Sequence, residues 1–158
     1  RKRLMITNKK IAIITSSFNS DITVNLYDGA VNTLISNEIP NENIKSIWVP
    51  GALEIPYASS KLASQNKIDG IIALGAIIKG DTGHNKLVSE NAYRGCMDVS
   101  IKTNIPITLG IISADNVELA KSRSHDIKAE ITNPKIKQTV NYGVSAANAL
   151  LDIFKLDI

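Results

Sequence analysis

Gly70-Ile71-Ile72-Ala73-Leu74-Gly75-Ala76-Ile77-Ile78, followed at once by Lys79-Gly80-Asp81-Thr82-Gly83-His84, is the stretch on which the fold turns. Its first part is apolar without alternation. That is the pattern of a strand covered on both faces, and such strands belong to parallel sheets between layers of helix. Its second part is small and polar, as a connection leaving a strand end should be. Residues 11–17 (IAIITSS) and 44–49 (IKSIWV) form two earlier runs, and residues 105–112 (IPITLGII) form a fourth, with Pro106 tolerated near its start.

Helical spacing fills the gaps between these runs. Tyr27, Ala30, Val31, Leu34 and Ile35 share one helical face, with Ser20 or Asp21 as the cap and residues 37–40 as the stop. Pro50-Gly51 breaks the second strand, and a helix over 55–65 turns Ile55, Ala58 and Leu62 inward. Further helices are expected over 85–102, 116–124 and 139–154, the last burying Val140, Val144, Ala147, Leu151 and Phe154. Residues 1–9 read as a tail, frayed over its basic opening 1–5, and 125–138, lysine-rich with Pro134 inside, as a long polar surface loop. No repeat or linker divides the chain, so residues 1–158 are expected to form one three-layer α-β-α domain around a four-stranded parallel sheet with right-handed crossovers.

Composition allows this and narrows the function. A chain of 158 residues, 44% hydrophobic and 21% charged, can bury a core without disulfides or metal. Aromatics are only 4%, so Ile, Val, Leu and Ala must fill it. The net charge is +3 and the pI about 9.0, but the basic residues are scattered. They describe a solvated surface with room for one anion site, not a nucleic-acid face. The single cysteine, Cys96, has no disulfide partner, and Cys and His show no metal-ligand spacing, which points to a reducing cytoplasm. No apolar run approaches the roughly 20 residues of a membrane span. The opening Arg1-Lys2-Arg3-Leu4-Met5 lacks the apolar core of a signal peptide.

In open parallel sheets, ligands bind beyond the carboxyl ends of the strands. That rule selects residues 16–19, 50–54, 79–84 and 113–116 before any motif is considered. In the third segment, Gly80 and Gly83 allow a tight turn with uncovered N–H groups, Thr82 adds a hydroxyl, and a helix start follows. Such a turn can hold a phosphate, with Lys79 or Lys86 assisting; an ordinary strand–helix connection is the alternative. It is neither a P-loop nor a Rossmann turn. His84 closes the turn, where an imidazole suits proton relay in amine and carbonyl chemistry or simply caps the helix. Phe18 is either a stacking platform for a flat ring or a hydrophobic staple. Glu54 either binds ligand hydroxyls or answers the helix dipole. Arg123 reaches an anion or is an ordinary surface arginine. His125 reads as solvated and Cys96 as a packed residue without activation.

Together these segments resemble the lumazine synthase family. The resemblance rests on Ser17-Phe18-Asn19, on Trp48-Val49-Pro50-Gly51-Ala52-Leu53-Glu54-Ile55-Pro56, and on Leu74-Gly75-Ala76-Ile77-Ile78-Lys79-Gly80-Asp81-Thr82-Gly83-His84. Glu90-Asn91, Ile105-Pro106-Ile107, Leu109-Gly110 and Asn141-Tyr142-Gly143 extend it. It implies a flavodoxin-like strand order and a transferase of riboflavin biosynthesis. That enzyme condenses 5-amino-6-(D-ribitylamino)uracil with 3,4-dihydroxy-2-butanone 4-phosphate, releasing phosphate and water, without metal or cofactor.

By the same resemblance, Phe18 stacks on the pyrimidine, Asn19 and Glu54 bind the ribityl chain, and Gly51, Ala52, Leu53, Ile77, Ile78 and Leu109 surround the ring. Gly80, Asp81, Thr82 and Arg123 hold phosphate, and His84 is catalytic. The partners implied are small-molecule substrates and further copies of the chain, in a homopentamer or decamer with sites between subunits; Leu109 and Arg123 come from the neighbour. Three features depart from the family pattern. Leu109 stands where an aromatic is usual, Tyr142 stands where a lysine is usual unless Lys128, Lys135 or Lys137 replaces it, and 125–138 is longer than the family's glycine-rich turn. The long loop is expected to obstruct assembly of pentamers into a hollow shell. A non-catalytic carrier on the same scaffold is the competing reading. A signalling receiver needs acidic residues at the end of strand one, where Ser16 and Ser17 stand.

Overall fold

The four apolar runs pair as parallel strands in the order β2-β1-β3-β4. These are β1 (Ile11–Ser16), β2 (Ile44–Val49), β3 (Gly70–Ile78) and β4 (Ile107–Ala114). The computed structural model describes residues 6–128 and 140–158; the expectations for Lys135, Lys137 and Pro134 fall outside them. β1 and β3 lie in the middle, and both are buried almost throughout, as their unbroken apolar runs require. β2 is an edge strand with Lys45, Ser46 and Trp48 exposed.

Helices cover both faces. On one side, α1 (Ser20–Ser36) and the C-terminal helix α5 (Tyr142–Phe154) bury Ile22, Leu26, Leu34, Ala147 and Leu150 against Ile13, Leu74 and Ile112. On the other, α2 (Ile55–Ala63) and α3 (His84–Thr103) bury Ile55, Leu62, Ala92 and Cys96 against Ile14, Ala73 and Ile111. The short α4 (Val117–Ser122) sends Ala120 into the first cluster. Cys96 is fully buried, and burial pushes its thiol up to about 12, so it is a packing residue held neutral.

Several boundaries differ from the sequence expectation. β4 starts two residues late, because Pro106 lacks an N–H to pair; its carbonyl instead accepts from Ile71 N at 2.9 Å. α3 starts one residue early and includes His84. α2 stops at Ala63 rather than residue 65. Neither Ser20 nor Asp21 caps α1, since Asn19 holds the cap position. Ile35 is exposed, and its place in the core is taken by Ile22 and Leu26. α5 begins at Tyr142, which leaves Val140 outside the helix and 52% exposed. Ile6, counted with the tail in the sequence, is buried in the α1/α5 cluster.

The α5 start is the tightest joint. The Asn141 side-chain oxygen accepts from Gly143 N and Val144 N, while its amide donates to Asn25 O and His125 O. One side chain thereby caps α5 and ties it to α1. A Cβ on Gly143 would stand 1.9 Å from Leu26 O, a backbone atom that cannot step aside. Gly143→Ala should therefore force α5 off α1 and lower the unfolding free energy by about 3 kcal/mol, the upper end of overpacking costs. Urea titration checks this, and a loss below about 1 kcal/mol would show that the joint yields easily.

Candidate active site

The carboxyl ends of β1, β2 and β3 enclose a cleft of about 330 Å³. It opens where the strand order reverses between β1 and β3, the switch point at which such sheets bind ligands. Its walls are knitted by backbone bonds between loops. Ser17 N donates to Val49 O (2.8 Å) and Phe18 N to Pro50 O (3.1 Å), fastening the end of β1 to the end of β2. Asn19 then takes a left-handed conformation (φ 59°, ψ 50°), which its short polar side chain tolerates. Its Nδ2 donates to Ala76 O at 2.9 Å, fastening the same loop to β3.

Held this way, Phe18 is 72% exposed beside the cleft, so it is not the staple that spacing allowed. Gly51 is extended, and a Cβ there would come within 3.0 Å of Glu54 Oε2. The bare glycine leaves that space to the carboxylate, which is exposed at the end of the 3-10 turn Ala52–Glu54. Gly83 occupies the α3 cap position and His84 the first helical position, so His84 is exposed at the cleft without serving as the cap. Neither Gly80 nor Gly83 uses a positive φ, and both face open space.

Of the residues singled out from sequence, Phe18, Asn19, Gly51, Ala52, Leu53, Glu54, Ile77, Ile78, Gly80, Thr82 and His84 line this cleft. Asp81, Leu109 and Arg123 do not, and neither do Ser16, Ser17 or residues 113–116. Ala76, Asn85 and Val88 line it unannounced. The signal for Val88 was its position four residues beyond His84, on the same helix face. Glu54 and His84 are the two titratable side chains among the cleft's lining residues, an arrangement that can seat a flat ring and leaves one carboxylate and one imidazole for polar work. No group of three or more His, Cys, Asp or Glu among the described residues is placed to hold a metal ion.

Two of the missing residues, Leu109 and Arg123, belong to β4 and its edge. Arg123 Nη1 donates to Ser113 O at 3.2 Å, and its guanidinium lies 5.8 Å from the ring centroid of Tyr142. Leu109 and Tyr93 pack, half-buried, on the α2/α3 cluster, and the Tyr93 hydroxyl donates to Ile111 O. Burial raises the Tyr93 phenol above its ordinary range, Tyr142 adds to the rise and Arg123 opposes it.

The family model described as 6,7-dimethyl-8-ribityllumazine synthase matches residues 8–157. The chain is similar to the proteins of that name from Leuconostoc mesenteroides subsp. mesenteroides (47% identical over 118 residues, 75% of this chain and 76% of that protein). It is likewise similar to those from Kosmotoga olearia (44% over 115 residues, 73% and 74%) and Limosilactobacillus reuteri (36% over 152 residues, 96% and 91%).

Asn19→Ala removes both the bond to Ala76 and the tolerance of left-handed backbone, for an expected loss of about 2 kcal/mol. Asn19→Gly adopts that backbone freely and should lose clearly less. Denaturant melts compare the two, and equal losses would show that backbone conformation is not what Asn19 supplies.

Proposed function

We infer the chemistry of this cleft from one premise: the chain belongs to the 6,7-dimethyl-8-ribityllumazine synthase family. It is a transferase of riboflavin biosynthesis that condenses 5-amino-6-(D-ribitylamino)uracil with 3,4-dihydroxy-2-butanone 4-phosphate and releases phosphate and water. One observation carries the assignment of residues. Phe18, Glu54 and His84, from three different strand ends, line a single cleft.

In this reading the pyrimidine stacks on Phe18, whose exposed ring face is available to it. Backbone groups at Gly51, Ala52, Ile77 and Ile78 meet the ring edges, Leu53 adds to the wall, and Asn19 and Glu54 take the ribityl hydroxyls. The free amine attacks the ketone carbon to form an imine, phosphate is eliminated, and the second nitrogen closes the ring. Each addition and dehydration moves a proton between nitrogen and oxygen, and the His84 imidazole can accept and return it. The amine and the ketone are reactive without help, so holding them in register supplies much of the acceleration.

Gly80, Asp81 and Thr82 reach the phosphate from one side. Arg123 and Leu109, away from their own cleft, are assigned to the site of a neighbouring copy. Exposed apolar side chains support such association: Leu87 (61%), Met97 (49%) and Ile101 (74%) on α3, and Tyr57 (68%) on α2. We assign a cytoplasmic homopentamer or decamer, with the length of residues 125–138 opposing a closed shell.

Mixing the purified protein with both substrates should produce lumazine absorbance faster than the uncatalysed reaction; no acceleration would leave a carrier and sink the enzyme reading. His84→Ala should lower kcat by up to about 10²-fold while product still binds. An unchanged rate would remove His84 from proton transfer. Mass measurement in solution should find five or ten chains, and a particle of about sixty would refute the loop argument.

A further inference from the structure

At the β4 edge stands an arginine with an aromatic ring beneath it. Arg123 ends α4, and its guanidinium Cζ lies 5.8 Å from the centroid of Tyr142. Among the described residues no acidic side chain forms an ion pair with it. The Ser113 carbonyl accepts from Nη1 at 3.2 Å, which aims the head group but occupies only one of its five N–H donors. A guanidinium covered on its face by a ring keeps its edge free, and the edge is what grips an anion bidentately. A carboxylate partner would compete for the same edge. The ring does not.

The ring itself is firmly placed. Tyr142 N donates to Arg123 O at 2.9 Å, and His125 N donates to Val140 O at 3.1 Å. Ser124 and Asn141 pair as an antiparallel bridge between these contacts. The two segments run side by side, so platform and cation share one frame. Gly110 admits the Tyr142 backbone against β4, because a Cβ there would stand 2.9 Å from Tyr142 O. Tyr142 packs partly buried on the α1/α5 cluster.

We propose that Tyr142 is a positioning residue for phosphate capture: its ring carries the Arg123 guanidinium and holds the donor edge open toward the phosphate group of the ketone substrate. The proposal rests on the assignment of Arg123 to that phosphate. It explains how a chain without a lysine at this position keeps its phosphate cation directed, by a face contact rather than by a second positive charge.

Steady-state kinetics of the assembled protein tests this with Tyr142→Leu, Tyr142→Phe and Arg123→Ala. Tyr142→Met fills the space without a ring and stands in should Tyr142→Leu not fold. Loss of the ring should raise KM for the phosphorylated ketone about five-fold, the scale of an exposed cation–π contact. KM for the amine and kcat should stay within about two-fold, and Tyr142→Phe should behave as the parent because it keeps the ring. In an Arg123→Ala background, Tyr142→Leu should add nothing further. The proposal is overturned if the ring-less variants leave KM for the ketone unchanged, if both KM values rise together, or if Tyr142→Phe is as impaired as Tyr142→Leu. Should Arg123→Ala itself leave that KM unchanged, the phosphate assignment fails and takes the proposal with it. A strong effect of Arg123→Ala beside silent Tyr142 variants rejects the platform alone.

Discussion

The rest of this structure depends on the burial of β3, whose residues Gly70 through Ile77 are all shielded from water. A buried strand cannot leave N–H and C=O groups unpaired without a cost of several kcal/mol. β3 must therefore have a strand on each side, and it has β1 and β4. It must also have apolar cover above and below, which α1 with α5 and α2 with α3 supply. Because every connection between these strands is a crossover, all strands run the same way and all their carboxyl ends meet on one rim. The site follows from that.

On the rim the chain is polar, exposed and yet firmly held. The backbone bonds from Ser17 and Phe18 to the end of β2, the Asn19 amide to Ala76 O, and Lys79 N to Ala114 O at 2.9 Å join the four strand ends into one belt. Loops stitched this way lose little freedom when a ligand arrives, which is the physical content of a prepared site. They also hold Phe18 in water, 72% exposed, where an apolar ring gains nothing by itself. An aromatic kept in that position against its own hydration preference fits a face reserved for a planar partner.

The candidate site residues on the rim fall in two places. The cleft at β1 and β3 has the ring platform, the carboxylate and the imidazole, but no arginine. The edge of β4 has the arginine, aimed by Ser113 and backed by Tyr142. The proposed pairing with a second copy would bring cation and pocket together, and the exposed apolar side chains of α3 offer such a copy a surface to bury.

How much of this was legible in the sequence follows the reach of each signal. Apolar runs announced four strands, and the continuous run of β3 announced a parallel sheet, since burial on both faces leaves no polar positions in the pattern. The glycine-bounded turns and the residues at strand ends announced the cleft, because chain direction alone decides which end of a strand faces the rim. Neighbour spacing could not show that Asn19, rather than Ser20 or Asp21, starts α1, for its side chain answers to Ala76, 57 positions away. Nor could it show Ile6 folding back into the core, Val140 left outside α5, or Leu109 and Arg123 set apart from the cleft. Tyr142 read in the sequence as a missing lysine, and only the pairing of residues 123–125 with 140–142 laid its ring under a guanidinium. Local periodicity determines what an element is and which way it faces; contacts between distant segments form only when the sheet closes, and those decided where each charge stands.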